Sequence, residues 1–443
     1  MISGTHSGCG KTTVTLALLK ALTEKNIKVD SFKCGPDYID PIFHSRIIGT
    51  PSHNLDSWFC GGDTLNYLLQ SSDREMSLIE GVMGFYDGVG KSFSSCDIAL
   101  AVKTPVVLVV DSKGMSGSLG AVMKGFLTYR NPNNIVGFIF NRLPESLVET
   151  AKALCEEFNT LYLGRLPFDK ELIIESRHLG LAADSDIALL KAKIDSLARL
   201  AGENILIDKI IELSKKTTVL TGLDPLKNKP NHKAKIAVSK DEAFSFLYRD
   251  NLDFLRRSGC EVEFFSPLHD RCLPENINGM ILVGGYPELY AKRLSENKSM
   301  LADIKNKISS GVPTIAECGG FMYLHESFEN ADGKFFPGVG AVSGRCFKTD
   351  RLQRFGYVTL TSKNDNLLCK KGQALKAHEF HYWDSDSCGE DFAAAKANGS
   401  ASYSCVHCDH SSYFGFPHLY FYANVQAVEN FIIKCEEYGK KNG

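Results

Sequence analysis

An excess of charge of one sign is missing from this chain: 50 Lys and Arg stand against 52 Asp and Glu over 443 residues, a formal net charge of −2. Nucleic acids and anionic lipids are held through surplus cationic side chains, so neither is expected as a partner. Long apolar runs are missing too. The longest, such as 105–110 and 279–283, are strand-sized against the ~20 residues that span a bilayer, and no membrane helix is expected. Cysteine is too thin for a disulfide scaffold: 14 residues, scattered singly except near the C-terminus, read as reduced, buried small hydrophobes. The opening Met-Ile-Ser-Gly runs straight into a glycine-rich loop with no charged start, apolar stretch or cleavage site. A cytoplasmic protein is the expectation. No repeat of solenoid period interrupts the chain.

The length suggests two or three domains. Up to about residue 220, apolar runs at 77–81, 105–111 and 135–141 alternate with amphipathic segments such as 12–24 and 119–129. That alternation predicts a parallel sheet covered by helices on both faces. The segment 222–233, GLDPLKNKPNHK, carries two Pro and no sustained apolar pattern, and is expected to be a linker between domains at 1–221 and 234–443. The pattern then restarts, with strands expected at 235–239, 260–266, 279–283 and 313–316 and helices at 244–258 and 297–309. A second α/β unit follows, richer in short strand-like runs towards its end.

Gly4-Thr-His-Ser-Gly8-Cys-Gly10-Lys11-Thr12-Thr13 opens a helix, where backbone N–H groups and the helix dipole can hold phosphate oxygens. In such a loop Lys11 reaches the β and γ phosphates of ATP and the Thr12 hydroxyl ligates Mg²⁺. The strict pattern has four residues between its first Gly and Gly-Lys; here Gly4 and Gly10 enclose five. Only Met1–Ser3 precede the loop, which is short for a central strand.

Three acidic segments follow. Lys33-Cys-Gly-Pro-Asp37-Tyr38-Ile-Asp40-Pro places two carboxylates in a Gly/Pro-shaped loop, Asn54-Leu-Asp56 comes next, and Glu80-Gly-Val-Met-Gly-Phe-Tyr-Asp87-Gly puts Glu80 at a strand end. Ligands of doubly wound sheets sit at the carboxyl ends of strands, and Mg²⁺ prefers one or two carboxylates with phosphate oxygens. Asp37 and Glu80 are therefore candidates for the metal together with Thr12. Asp37, Tyr38, Asp40 and Asp87 are candidates for the substrate and phosphate region. A single Asp in such a loop also serves as a turn former or helix cap.

In the second half, 313–324 reads as a buried strand, Cys318 at a sharp turn, and a helix. This elbow exposes a nucleophile near a helix N-terminus. Upstream, Gly284-Gly285 ends another strand, and the N–H groups of Gly285 and Gly319 could form an oxyanion hole. A general base is required, and spacing leaves His378, His381, His407, His410 and His418 all open. Cys405-Val-His407-Cys408-Asp-His410 has metal-ligand residue types, but four ligands so close need a second pair elsewhere, and no other Cys-x-x-Cys exists. A Cys/His-rich surface loop is the plainer reading.

Taken together, the phosphate loop, the Lys33–Pro41 and Asn54–Asp56 segments, Glu80–Gly88, Arg177-His-Leu-Gly-Leu181, Gly284-Gly-Tyr-Pro-Glu288, Ala316-Glu-Cys-Gly-Gly-Phe-Met-Tyr-Leu324 and His378-Glu-Phe-His-Tyr382 resemble the cobyrinate a,c-diamide synthase family over essentially the whole chain. The resemblance implies two doubly wound α/β domains. The first is a P-loop NTPase like dethiobiotin synthetase, whose phosphate loop also carries five residues between its glycines. The second is a class I glutamine amidotransferase domain, flavodoxin-like. Cys318 matches the family's glutaminase nucleophile and His418 its base. Class I domains carry a Glu two residues after that His, whereas Tyr420 stands here, so the resemblance implies a Cys/His pair whose His orienter is unassigned. Pro417 replaces the aromatic residue usual before the His. Asp37, Glu80 and Asp87 match acidic positions associated with Mg²⁺, ATP and substrate, and 37–40 with Arg177-His178 are expected to face the corrinoid.

The activity so implied is amidation of the a and c acetates of cobyrinate. ATP first makes an acyl phosphate, and ammonia released from L-glutamine at Cys318 attacks it, travelling between domains by an internal passage. A homodimer is compatible with this reading. The same chemistry on Ni-sirohydrochlorin or hydrogenobyrinate is an alternative that the motifs barely separate. A partition-type switch ATPase with an inactive glutaminase-like module is more remote, because such loops carry a further early Lys that is absent here.

Overall fold

The computed structural model describes residues 1–72, 74–174, 184–218, 220–226 and 231–442. Two compact units divide the chain, Met1–Asp224 and Pro225–Gly443.

In the first unit, seven strands form one sheet: β1 (Ile2–Gly4), β2 (Val29–Cys34), β3 (Ser52–Leu55), β4 (Met76–Glu80), β5 (Val106–Asp111), β6 (Ile135–Asn141) and β7 (Leu161–Leu166). Their order is β3-β2-β4-β1-β5-β6-β7, and every pairing is parallel. Helices such as Lys11–Glu24, Ser118–Tyr129 and Asp184–Asn204 connect or follow the strands. The strands read as unbroken apolar runs because both faces are covered; Val107 to Val110 are all buried. The three-residue β1 suffices as a central strand because Ile2 is in register with both Glu80 and Val107.

The order reverses at β1: β2 to β4 lie on one side and β5 to β7 on the other. This switch point opens a crevice at the carboxyl ends. The phosphate loop after β1 and Glu80 at the end of β4 both belong there.

The second unit builds its main sheet from β8 (Lys235–Ser239), β10 (Glu261–Phe265), β11 (Gly279–Leu282), β13 (Thr314–Glu317), β22 (His407–Cys408) and β23 (Ser412–Gly415), in the order β10-β8-β11-β13-β23-β22. All pairs are parallel except β22–β23. Two further sheets come from the segment after the elbow. One orders β15 (Phe335–Pro337), β14 (His325–Glu329), β16 (Val342–Lys348) and β19 (Trp383–Ser385); the other orders β21 (Ser402–Cys405), β20 (Phe392–Lys396), β17 (Arg354–Ser362), β18 (Ala374–His381) and β24 (His418–Leu419).

One expectation needs correction. The stretch 244–258 is not a single helix: β9 (Phe244–Phe246) pairs antiparallel with β12 (Gly284–Gly285), and the helix spans Arg249–Arg257. Pairing with a distant glycine strand overrides the local apolar period, and Asp241 holds the turn by accepting from the N–H groups of Ala243 and Phe244 at 2.8 and 3.0 Å. Among the described residues, no helix is long and apolar enough to cross a membrane.

Candidate active sites: a phosphate loop and a thiol–imidazole pair

The phosphate loop is shaped by residues that tolerate no bulk. Gly10 has φ +103°, and a Cβ there would lie 2.2 Å from Asn141 Nδ2, the amide that donates to Cys9 O at 2.9 Å. Gly8 is also left-handed, at φ +82°. Lys11 and Thr12 begin the following helix, which includes Thr13. Lys11 is buried and donates to His6 O at 3.0 Å, so its ammonium curls over the loop that would receive phosphate. Burial holds its pKa below the usual lysine range.

Beside the loop lies a dense buried charge cluster. Thr12 Oγ1 donates to Glu80 Oε1 at 2.7 Å. Lys33 Nζ stands 2.8 Å from the same oxygen, 2.5 Å from Asp40 Oδ2 and 4.0 Å from Asp37 Oδ2. His44 Nε2 is 3.5 Å from Glu80 Oε2. Burial alone would lower Lys33, yet the charges of Asp40, Glu80 and Asp37 hold it well above the usual lysine range. Burial likewise opposes ionisation of Glu80, but Lys33 and His44 keep it below the usual carboxylate range. Asp40 goes the other way: burial, against the pull of Lys33 and with the repulsion of Glu80, lifts it to about 7. One ammonium is shared by two buried carboxylates.

The other acidic candidates are engaged in their own loops. Asp37 Oδ1 accepts from the N–H groups of Ile39 and Asp40 at 2.8 and 3.3 Å, starting the short helix Ile39–Phe43 next to buried Tyr38. Asp87 Oδ2 accepts from Gly84 N at 2.7 Å. Asn54 ties the Asp37 loop down by donating to Gly35 O and Asp37 O at 2.9 and 2.8 Å. Thr12 Oγ1 and Glu80, adjacent at 2.7 Å, present the hard oxygen donors that Mg²⁺ takes; the donor set therefore fits that ion. Lys33 is the residue that the sequence reading missed. Its signal was a Lys closing a buried strand directly ahead of a carboxylate-bearing loop. The Arg177-His178 segment lies outside the described residues.

In the second unit, β13 delivers its chain into Cys318 at φ +47° and ψ −107°, and the helix Gly319–Leu324 starts at once. The elbow is held by Cys318 N donating to Gly415 O at 2.8 Å. Backbone strain of this kind persists where surrounding structure overdetermines it. The paired glycines of β12 close the space: a Cβ on Gly284 would lie 2.6 Å from His418 Cε1 and 3.4 Å from Cys318 Cβ, and one on Gly319 would lie 2.9 Å from Gly285 N. Gly285 and Gly319 thus pack against each other next to the elbow.

Of the five histidines, His418 is the one brought into hydrogen-bond contact with Cys318. Burial would lower it, but the Cys318 charge and the bonds to Cys318 and Glu317 raise it to about 10. His378 is its register partner across β18–β24, and burial holds it neutral, at about 3. The other three have different neighbours: His381 stacks on Phe416 with centroids 4.0 Å apart, His407 Nε2 meets Ser387 O at 2.8 Å, and His410 is exposed. Cys405 and Cys408 are buried thiols, and among the described residues no group of three or more His, Cys, Asp or Glu is arranged to hold a metal. Glu317 was not singled out from sequence. Its Oε2 lies 3.5 Å from His418 Nδ1, while its Oε1 accepts from Leu419 N at 3.0 Å.

Comparison with known proteins assigns a domain family to each half of the chain. Residues 1–181 match the CobQ/CobB/MinD/ParA nucleotide binding domain, and residues 235–422 the CobB/CobQ-like glutamine amidotransferase domain. The cobyrinate a,c-diamide synthase of Caldanaerobacter subterraneus subsp. tengcongensis is 37% identical over all of this chain and 99% of its own. That of Thermoplasma volcanium is 38% identical over all of this chain and 98% of its own, and that of Priestia megaterium 35% over 98% and 96%. With a nucleotide-binding unit and a glutamine amidotransferase unit in one continuous match, the chain belongs to the cobyrinate a,c-diamide synthase family.

Proposed function

We propose that this chain is an ATP- and glutamine-dependent ligase that converts the a and c acetate carboxylates of cobyrinate to amides in cobalamin biosynthesis, with residues 1–221 as the ligase domain and 234–443 as the glutaminase. The observation that carries this reading is the pairing, in one chain, of the Cys318–His418 site with a phosphate loop whose Lys11 and Thr12 stand beside Glu80 and Lys33.

A carboxylate cannot be amidated directly, because oxide would have to leave. Its oxygen therefore attacks the γ-phosphorus of ATP, ADP departs, and an acyl phosphate forms. Lys11 and the loop amides hold the phosphates. A Mg²⁺ ion held by Thr12 and Glu80 would neutralise charge on the β and γ phosphates. Lys33 keeps Glu80 and Asp40 compatible in a buried site and adds a cation beside the transferring group.

At the other site the Cys318 sulfur attacks the glutamine side-chain amide. The oxyanion takes hydrogen bonds from the amides of Gly285 and Gly319, and His418 gives its proton to the leaving ammonia. Water, deprotonated by His418, then releases glutamate from the thioester. Ammonia displaces phosphate from the acyl phosphate, losing one proton. The cytoplasm, which supplies ATP and glutamine, is the compartment that suits this reaction.

The test is mass spectrometry of products after incubation with ATP, Mg²⁺, glutamine and cobyrinic acid, beside Cys318→Ala. Two OH-to-NH₂ exchanges are expected in the wild type, surviving in the mutant only when ammonia replaces glutamine. An untouched corrinoid with ATP still hydrolysed refutes the acceptor and points to Ni-sirohydrochlorin or hydrogenobyrinate.

A further inference from the structure

We infer that Glu317, the residue immediately before the nucleophile, is the carboxylate that positions and charges His418, replacing the acid that class I domains carry two residues after the His. The inference rests on the reading of Cys318 and His418 as the glutaminase pair. Tyr420 holds the usual place of the acid and is fully buried, with its ring 5.1 Å from Tyr248 in an edge-on contact; it has no carboxylate to offer. Glu317 has one, within ion-pair distance of the ring. Oε2 lies 3.5 Å from His418 Nδ1, and Oε1 is pinned by Leu419 N at 3.0 Å. The second anchor matters because it fixes the carboxylate relative to the residue following the histidine.

The route is short in space and long in sequence. Glu317 ends β13, which is in register with β23 through Glu317↔Gly415; three residues later the chain reaches His418. The elbow at Cys318 turns the thiol one way while the preceding side chain stays at the strand end facing His418. With Nδ1 turned to Glu317, Nε2 is the ring nitrogen left for the thiol. Among the described residues, Cys318, Glu317 and His378 are titratable groups that face His418, the last of them uncharged. Glu317 therefore has the tasks of holding the tautomer with its proton on Nδ1 and of supporting the imidazolium once the thiol proton arrives.

Glu317→Gln isolates these tasks. The amide keeps the shape and an oxygen for Leu419 N–H. Its NH₂ group then faces Nδ1, and two donors cannot share that contact. The neutral ring must offer Nδ1 as acceptor and carry its proton on Nε2, the tautomer that cannot accept from the thiol. We expect glutaminase kcat to fall roughly a hundredfold, with the KM for glutamine changed by less than about twofold if Glu317 acts through His418 and not on the substrate. Loss of an opposite charge lowers the histidine pKa, so the basic limb of the pH–rate profile should move to lower pH by roughly one unit or more.

Glutaminase is assayed as glutamate release from the full chain, with the melting curve confirming the fold. Labelling by the glutamine analogue 6-diazo-5-oxo-norleucine serves as an acceptor-independent second readout. A folded variant that keeps more than a third of kcat, or loses kcat with the profile unmoved, overturns the inference. If Cys318→Ala retains glutaminase, the pair itself was misread and the role of Glu317 falls with it, a result distinguishable from the first two by the wild-type residue at 317.

Discussion

Lys33→Met tests the charge cluster behind the phosphate loop. Methionine preserves most of the stem volume and removes the ammonium, which stands 2.5 Å from Asp40 and 2.8 Å from Glu80. Glu80 is fully buried and Lys33 only 4% exposed, so water cannot replace the lost cation. Breaking a buried pair by removing one partner costs about 3–5 kcal/mol. The cost here belongs at the lower end, because Asp40, already lifted to about 7 by burial, takes up a proton once the cation has gone. About 3 kcal/mol in a unit of this size lowers the melting temperature by roughly 6–12 °C. The sign with pH follows from the same group. Asp40's folded pKa lies above its unfolded value, so protonation favours the folded state, and its contribution is lost as pH rises through about 7. Without Lys33 that dependence steepens, and the deficit of the variant should be larger at pH 8 than at pH 5.5. Calorimetry at both values, with hydrogen exchange of Val29–Cys34 identifying the transition, measures it. A variant within 2 °C of wild type at pH 8, or a deficit that grows on acidification, refutes the argument.

Two further substitutions probe the second unit. Gly284→Ala places a methyl 2.6 Å from His418 Cε1; the imidazole must swing off the thiol, and glutaminase kcat should fall at least about tenfold, with ammonia-driven amidation intact. Equal loss in both assays would count against a local effect. Tyr403→Phe removes the hydroxyl that donates to Glu379 Oε2 while leaving a ring for Arg354, whose guanidinium lies 3.7 Å from the Tyr403 centroid. A hydrogen bond to a buried charge contributes about 1.5–3 kcal/mol, hence a melting drop of roughly 3–12 °C; a change under 1 °C would show that Lys396 and Arg354 suffice for Glu379.

The sequence by itself determined the features whose chemistry is local. Gly8, Gly10, Lys11 and Thr12 build a phosphate loop within one strand-to-helix turn, and Glu317, Cys318 and Gly319 build an elbow within another. The alternation of apolar strands with helices declared the parallel sheets, since a strand covered on both faces must be apolar throughout. Tertiary structure decided which distant groups share a charge. Lys33 and Glu80 meet because β2 and β4 are neighbours in register, Lys33↔Glu80. No spacing in the chain announces a pair brought together by strand order. Spacing alone left five histidines eligible as partners for Cys318, and only the family resemblance singled out His418; the pairing of β24 with β18 is what sets it beside the thiol, with His378 as its uncharged neighbour. Glu317 was hidden for the same reason: in sequence it is a strand end beside the nucleophile, and its carboxylate acquires a partner only when a segment a hundred residues on folds across it. Local backbone preference can specify a turn, but an electrostatic pair exists only at contact distance, because solvent and screening remove it elsewhere.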